Sequence, residues 1–223
     1  MENILDEIAV CVERGKSNIQ SPYPPDLKGK EGAFELTQKA LENGIKPSEI
    51  LNEGLIKGMQ RIGEKFRANK VFVPDVLIAA KAMNAAMVHI KPFFISNEIK
   101  TKGKIVMGTV AGDLHDIGKN IVAMIIQGGG WEIVDLGVDV SAEKFVKAVE
   151  EHKPAAIGLS ALLTTTMLNM ESIIKEIKTV NEDIKVLVGG APLSQEYADS
   201  IGADFFSPNP QDALEYLNGL NIN

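Results

Sequence analysis

Ile105-Val-Met-Gly-Thr-Val-Ala-Gly-Asp-Leu-His-Asp-Ile-Gly-Lys119 is the stretch that decides the fold. It begins as a short unbroken apolar run, the pattern of a strand buried on both faces rather than the alternation of a half-exposed one. From Gly118 it opens an apolar-periodic segment that predicts a helix to about residue 128. The same unit recurs downstream. Trp131-Glu-Ile-Val-Asp-Leu136, Ala155-Ala-Ile-Gly-Leu-Ser160, Val186-Leu-Val-Gly-Gly190 and Asp204-Phe-Phe-Ser207 read as strands, separated by predicted helices near 141–151, 166–179 and 194–201. Compact apolar strands alternating with helices imply a parallel sheet covered on both faces, a doubly wound α/β fold of the flavodoxin-like or Rossmann-like kind. In such sheets ligands are met just past the carboxyl ends of the strands. The candidate site therefore lies in the loops at 109–119, 160–166, 189–192 and 207–210.

Upstream the period changes. Residues 1–98 carry apolar positions three and four apart and few β-branched clusters, so they read as helices. Ile4, Leu5, Ile8 and Val12 form a stripe that stops at Gly15, before Ser21-Pro-Tyr-Pro-Pro25, which cannot stay helical. A second predicted helix runs from about Glu31 to Asn43-Gly44, where a glycine suits a left-handed end. Pro47 and Pro74 each open another, the last continuing to about Phe94. Helices of this kind predict an antiparallel four-helix bundle. Ser96-Asn-Glu-Ile-Lys-Thr-Lys-Gly103 is polar and without apolar period and reads as a linker and hinge, which gives domains of 1–98 and 99–223.

Composition narrows the function. The 223 residues suffice for two small domains, and 45% hydrophobic against 24% charged residues excludes a disordered chain. A formal charge of −7 argues against a surface that grips nucleic acid or anionic lipid. The one cysteine, Cys11, cannot form an internal disulfide, is expected to be half-buried, and fits a reducing cytoplasm. The acidic N-terminus does not resemble a signal peptide, and no run of 18 apolar residues predicts a membrane span. Gly128-Gly-Gly130 precedes a strand and reads as a turn rather than a phosphate cradle, and Trp131 is expected to pack at that strand's start.

The chemistry sits in the loop after the first strand, which places Asp113 two residues before His115 and Gly118 three after it. A neutral imidazole can bind a metal through one nitrogen while the other donates to a carboxylate, which fixes the tautomer and strengthens the ligand. The same residues would also serve merely to decorate a loop and start a helix. Of the other histidines, His89 falls in the bundle and His152 follows a predicted helix, whereas a protein-only zinc or iron site needs three or four ligands. As a ligand, His115 makes sense where a macrocycle supplies the remaining positions, which points to haem or a corrinoid.

Asp113-x-His115-x-x-Gly118, Ser160-x-Leu162 and Gly189-Gly190, in that order on successive strand ends, resemble the cobalamin-binding modules of methionine synthase and of small corrinoid proteins in anaerobic methyltransferase systems. The helical part is similar too, since Phe72-Val-Pro-Asp75 leads into an Ala- and Met-rich helix like the cap over the corrin; the resemblance covers about residues 30–215. It implies a cobalamin or related corrinoid whose base leaves the cobalt and whose nucleotide tail enters a slot in the α/β domain. His115 would take the vacated lower position, Asp113 would hold its other nitrogen, and Thr166, where methionine synthase-like sequences have serine, would complete a relay. By the same resemblance Gly112, Leu114, Asp116, Ile117 and Gly118 contact the cofactor. Ser160, Leu162, Thr164, Gly189, Gly190 and Ala191 would line the corrin and tail, and Ser207 with Asn209 would meet the nucleotide end. Phe72, Met83 and Met87 would shield the upper face, although a stripe of Met83, Met87, Ile90 and Phe94 is equally what a bundle core requires.

The activity so implied is methyl carriage by a subunit that is not a complete enzyme. A substrate-specific methyltransferase serving methanol, methylamines, glycine betaine or methoxylated aromatics would load the cobalt. A second methyltransferase would unload it onto tetrahydrofolate or a thiol coenzyme, with a reductive activase as a further partner. The rival readings are the small subunit of an adenosylcobalamin-dependent mutase, which generally lacks such a cap, and a cobalamin-binding regulator, for which the acidic chain shows no basic recognition helix. The remaining alternative is a flavodoxin-like domain without a cofactor.

Overall fold

The computed structural model describes residues 2–96 and 98–220. The chain forms two compact units, one of residues up to Lys100 together with Gly128–Gly130, the other of Thr101–Gln127 and the residues from Trp131 onward.

The first unit is helical. α1 (Glu2–Glu13) buries Ile8, Ala9 and Val12 and ends before Gly15, whose φ of +72° and close approach to Ile78 both demand glycine. Cys11 is buried rather than half-buried, and that burial pushes its thiol pKa up to about 11. The connection to the next helix, which contains Ser21–Pro25, is tied down by Lys16 Nζ donating to the Ser21 carbonyl (2.8 Å) and by a two-pronged Arg14–Asp26 pair (2.8 Å each). α2 (Ala33–Glu42) starts where the Glu35 carboxylate accepts the Gly32 and Ile19 amides, and stops at Asn43 with Gly44 left-handed. The third predicted helix is one continuous rod of α3 (Pro47–Glu49), a π-helical stretch (Ile50–Ile56) and α4 (Lys57–Arg67). α5 (Val73–Ile95) opens at Pro74, with Asp75 accepting the Phe72 amide at 2.8 Å.

By length and composition α5 could cross a membrane, contrary to the expectation of no such segment. It buries Val76, Ala79, Ala80, Ala82, Met83, Ala86 and Ile90 within the helical unit, as the central helix of a bundle does. The boundary between the two units falls in the segment after it, between Lys100 and Thr101. Ile99 is buried, and the Glu98 and Ile99 amides donate to the Phe93 carbonyl, so the chain folds back on the helix end.

The second unit is a five-stranded, all-parallel sheet in the order β2-β1-β3-β4-β5. Its strands are β1 (Lys104–Thr109), β2 (Glu132–Asp135), β3 (Ala156–Ser160), β4 (Lys185–Gly189) and β5 (Phe205–Phe206). The intervening helices are α6 (Ile117–Gly128), α7 (Ala142–His152), α8 (Asn169–Val180) and α9 (Gln195–Ser200). A further helix, α10 (Pro210–Asn218), follows the last strand and was not expected from the sequence. β1, β3 and β4 are buried on both faces, with Val106, Ile157, Val186 and Val188 packed against Phe145, Met170 and Ile174. Register fixes the site: Thr109 pairs with Ser160 and Ser160 with Gly189, so the three central strands end at one level. The strand order reverses between β1 and β3, the kind of switch point beside which ligands bind in such sheets.

Candidate functional site

The β1–α6 loop and the β3–α8 loop meet at Asp113, whose side chain has no exposed surface. Its Oδ1 accepts the His115 backbone amide (3.0 Å) and faces His115 Nδ1 at 2.8 Å. Its Oδ2 accepts from the Thr166 hydroxyl (2.6 Å) and from the Leu162 (2.8 Å) and Leu163 (3.3 Å) amides. Burial on its own raises the Asp113 pKa, but the hydrogen bonds from Thr166, Leu162 and His115 more than reverse it, and the carboxyl is held well below the usual carboxylate range. An ionised acceptor at Nδ1 keeps the ring proton there and leaves the lone pair on Nε2. The His115 side chain is 51% exposed, so that nitrogen is offered outward.

The setting is prepared from both sides. Thr109 Oγ1 donates to the His115 carbonyl (3.0 Å), and Asn169 Nδ2 donates to the Ala111 carbonyl (2.8 Å). Thr166 lies in a turn ahead of α8, which begins at Asn169 rather than at 166; its hydroxyl serves Asp113 instead of a helix start. Lys119, buried in the first turn of α6, places its ammonium on Asp135 at the end of β2 and so ties that helix to the sheet edge. Lys119, Asn169 and the Leu163 amide were not anticipated.

Around the imidazole, Leu114 (72% exposed), Ile117 (70%) and Leu162 (44%) stand as large apolar side chains in water. Asp116 is exposed and accepts from Asn120 Nδ2. Ser160 and Gly189 close the adjacent strands, and Thr164 and Ala191 are exposed beyond them. Gly190 has a φ of +141°, and a Cβ there would lie 1.8 Å from the Ala161 carbonyl oxygen, so the turn itself demands it. Gly118 and Gly189 differ. Neither is left-handed, an added Cβ at Gly118 would meet nothing within 4 Å, and one at Gly189 would meet only the Ser207 carbonyl at 3.5 Å. Ser207 Oγ donates to the Asn209 carbonyl, and Asn209 caps α10 by accepting the Asp212 amide. In the helical unit Phe72 is 73% exposed, Met87 half-buried, and Met83 buried in the core.

These residues suit a macrocyclic metal cofactor. Among the described residues no group of three or more His, Cys, Asp or Glu side chains can hold a metal, so one imidazole is the donor this site brings. Glycines that the fold does not need leave space for a ligand to pass, and the apolar rim wants a flat partner to cover it. Residues 103–215 match the family model of a B12 binding domain, and residues 29–91 match a second B12 binding domain model. The chain belongs to the corrinoid proteins of methyltransferase systems.

Relatives of this corrinoid protein share both units. Trimethylamine corrinoid protein 1 of Methanosarcina acetivorans is 43% identical over 195 residues, covering 86% of this chain and 90% of that one. A corrinoid protein of Desulfitobacterium hafniense is 41% identical over 223 residues, 98% and 97% of the two chains. Among solved structures, a cobalamin-binding protein from Desulfitobacterium hafniense DCB-2 superposes with a TM-score of 0.75 at 32% identity, over 96% of this chain and 97% of that chain. A chain of the methanol:cobalamin methyltransferase complex of Methanosarcina barkeri gives 0.77 at 28% identity, over 98% and 81%.

Proposed function

We propose that this corrinoid protein takes a methyl group from a substrate-specific methyltransferase and yields it to a second one acting on tetrahydrofolate or a thiol coenzyme, with a reductive activase restoring the cofactor. The donor is a small methylated amine or methanol, a choice supported by relatives named for trimethylamine and dimethylamine and by the likeness to the methanol complex. The observation that carries the reading is the half-exposed His115, its Nδ1 held by a buried, ionised Asp113 inside a rim of exposed Leu114, Ile117 and Leu162.

When bound, the corrinoid supplies a cobalt atom that accepts and gives up a methyl group. His115 would hold the cobalt through Nε2, with Asp113 accepting the proton on Nδ1. The Asp113 carboxylate, 2.8 Å from Nδ1, would fix the orientation of the ring toward the cofactor. Thr166, keeping its hydroxyl where a serine would stand, holds Asp113 ionised and aimed. Gly112 and Gly118 give the tail close passage along the β1–α6 loop. Ser160, Thr164, Gly189, Gly190, Ala191 and Ser207 line the far side, and Leu114, Asp116, Ile117 and Leu162 border the ring. Phe72 and Met87 are the cap residues proposed for the upper face, with Met83 supporting them from the bundle core.

The test is spectroscopic. The full-length protein loaded with methylcobalamin is expected to show the visible spectrum of a histidine-ligated corrinoid, and His115→Ala to bind it still, with water as the lower ligand. A parent protein that binds neither methylcobalamin nor adenosylcobalamin, or a variant whose spectrum matches the parent's, overturns the reading. Demethylation by a trimethylamine or methanol methyltransferase then distinguishes the donors.

A further inference from the structure

β1 and β2 do not pair to their ends in step. Met107 pairs with Asp135, and pairing resumes with Val110 against Val140, so three steps on one strand face five on the other. The two additional residues bulge out. The bulge is held by Thr109 donating to the Gly137 carbonyl (3.0 Å) and Val140 donating to the Thr109 carbonyl (3.0 Å). Within it Asp139 adopts a φ of +52°, a left-handed backbone that Asp and Asn tolerate best after glycine.

What the bulge accomplishes is visible in its contacts. Asp139 Oδ1 accepts the amide of Gly112 at 2.7 Å, and the Asp139 amide donates to the carbonyl of Asp113 at 3.0 Å. Gly112 is itself left-handed, at φ +79°. With Asn169 Nδ2 on the Ala111 carbonyl (2.8 Å) and the Asp113 amide on the Val110 carbonyl (3.1 Å), the Ala111–Gly112–Asp113 turn is gripped from β2–α7 on one side and α8 on the other. A carboxylate on a backbone amide is among the stronger hydrogen bonds.

We propose that Asp139 is a positioning residue, which uses its carboxylate and its own amide to clamp the Gly112–Asp113 peptide so that the Asp113 side chain stays aimed at His115 and Thr166. The proposal deepens the functional reading above and rests on it for the role of His115. Asp139 acts through the backbone of the loop, at Gly112 and Asp113, and so supplies the tight tolerance a ligand-holding group needs.

Three substitutions separate its features. Asp139→Gly keeps the left-handed backbone and loses the acceptor, Asp139→Asn keeps both, and Asp139→Ala loses both. In the full-length protein without cofactor, amide hydrogen exchange at Gly112 is expected to quicken by about tenfold in the Gly and Ala variants and to return nearly to the parent rate in Asn. Exchange at sheet-core amides such as Ile157 is expected to stay put, which a merely global loss of stability would not allow. Loaded with methylcobalamin, the Gly and Ala variants are expected to show a share of water-ligated spectrum that the parent and Asn variant lack. Unchanged Gly112 exchange in Asp139→Gly, a failure of Asn to rescue, quickened exchange across the whole sheet, or a fully histidine-ligated spectrum in all variants overturns the proposal. A parent protein that does not bind methylcobalamin counts against the functional reading instead, and the Gly112 exchange still decides the clamp.

Discussion

Replacing Thr166 by Val isolates one bond at the centre of the site. The Thr166 hydroxyl lies 2.6 Å from Asp113 Oδ2, and both residues are buried, so water cannot stand in when the hydroxyl is removed. A hydrogen bond to a charged group contributes about 1.5–3 kcal/mol, and valine keeps the shape while deleting the donor. Oδ2 retains the Leu162 and Leu163 amides, so the carboxylate is weakened rather than orphaned, and we expect a loss of about 2 kcal/mol. Thr166→Ser keeps the hydroxyl and gives up one buried methyl, worth about 0.8 kcal/mol. Urea unfolding can be followed through Trp131, the only tryptophan, which is buried beside β2 in the same unit. With a urea slope of about 2 kcal/mol per molar, the valine variant should lose about 1 M in midpoint.

The pH dependence has a definite sign. The folded pKa of Asp113 lies below its ordinary value of 3.8, so its stabilisation is present above that value and is lost as pH falls through the folded pKa. The gap between parent and Thr166→Val should therefore stay full from pH 7 into the ordinary carboxylate range and narrow only as pH falls from the folded pKa of Asp113 in the variant to its lower value in the parent. A valine variant as stable as the parent, one more stable than the serine variant, or a gap that already narrows between pH 7 and pH 5 would refute the reasoning.

Two glycines make opposite predictions. Gly118→Ala adds a methyl that meets no protein atom within 4 Å and replaces glycine in a helix, so the cofactor-free protein should gain about 0.5–1 kcal/mol, while its affinity for methylcobalamin falls. A variant that gains stability and binds as well as the parent removes Gly118 from the site. Gly190→Ala would force a Cβ to 1.8 Å from the Ala161 carbonyl oxygen on a φ of +141°, and should lose about 3 kcal/mol or more in the Trp131 urea assay. A loss under about 1 kcal/mol would show that the turn after β4 can relax.

How far the sequence discloses this molecule depends on where each residue's partner lies. Asp113 and His115 are two positions apart in one loop, so their contact is legible as spacing, and the strands are legible because β1, β3 and β4 are buried on both faces and read as unbroken apolar runs. α10 escapes because it is nine residues long and follows Ser207-Pro-Asn-Pro210, whose prolines and asparagine signal a loop as readily as a cap. The π-helical stretch Ile50–Ile56 escapes because over seven residues an apolar stripe of slightly longer period cannot be told from an ordinary helical one.

Asp139 is the instructive failure. Nothing in Leu136-Gly-Val-Asp-Val140 marks a residue that holds the β1–α6 loop, since its partner Gly112 is 27 positions away and is reached only because β2 carries two residues more than β1 between paired positions. Sheet register is a property of two strands at once, and a one-residue change in it would carry Asp139 away from the Gly112 amide altogether. Asp113 and His115 can thus be recognised from local pattern, whereas a residue that holds their loop in place is created by pairing. A substitution at Asp139 should for that reason leave every recognisable motif intact and still displace the imidazole.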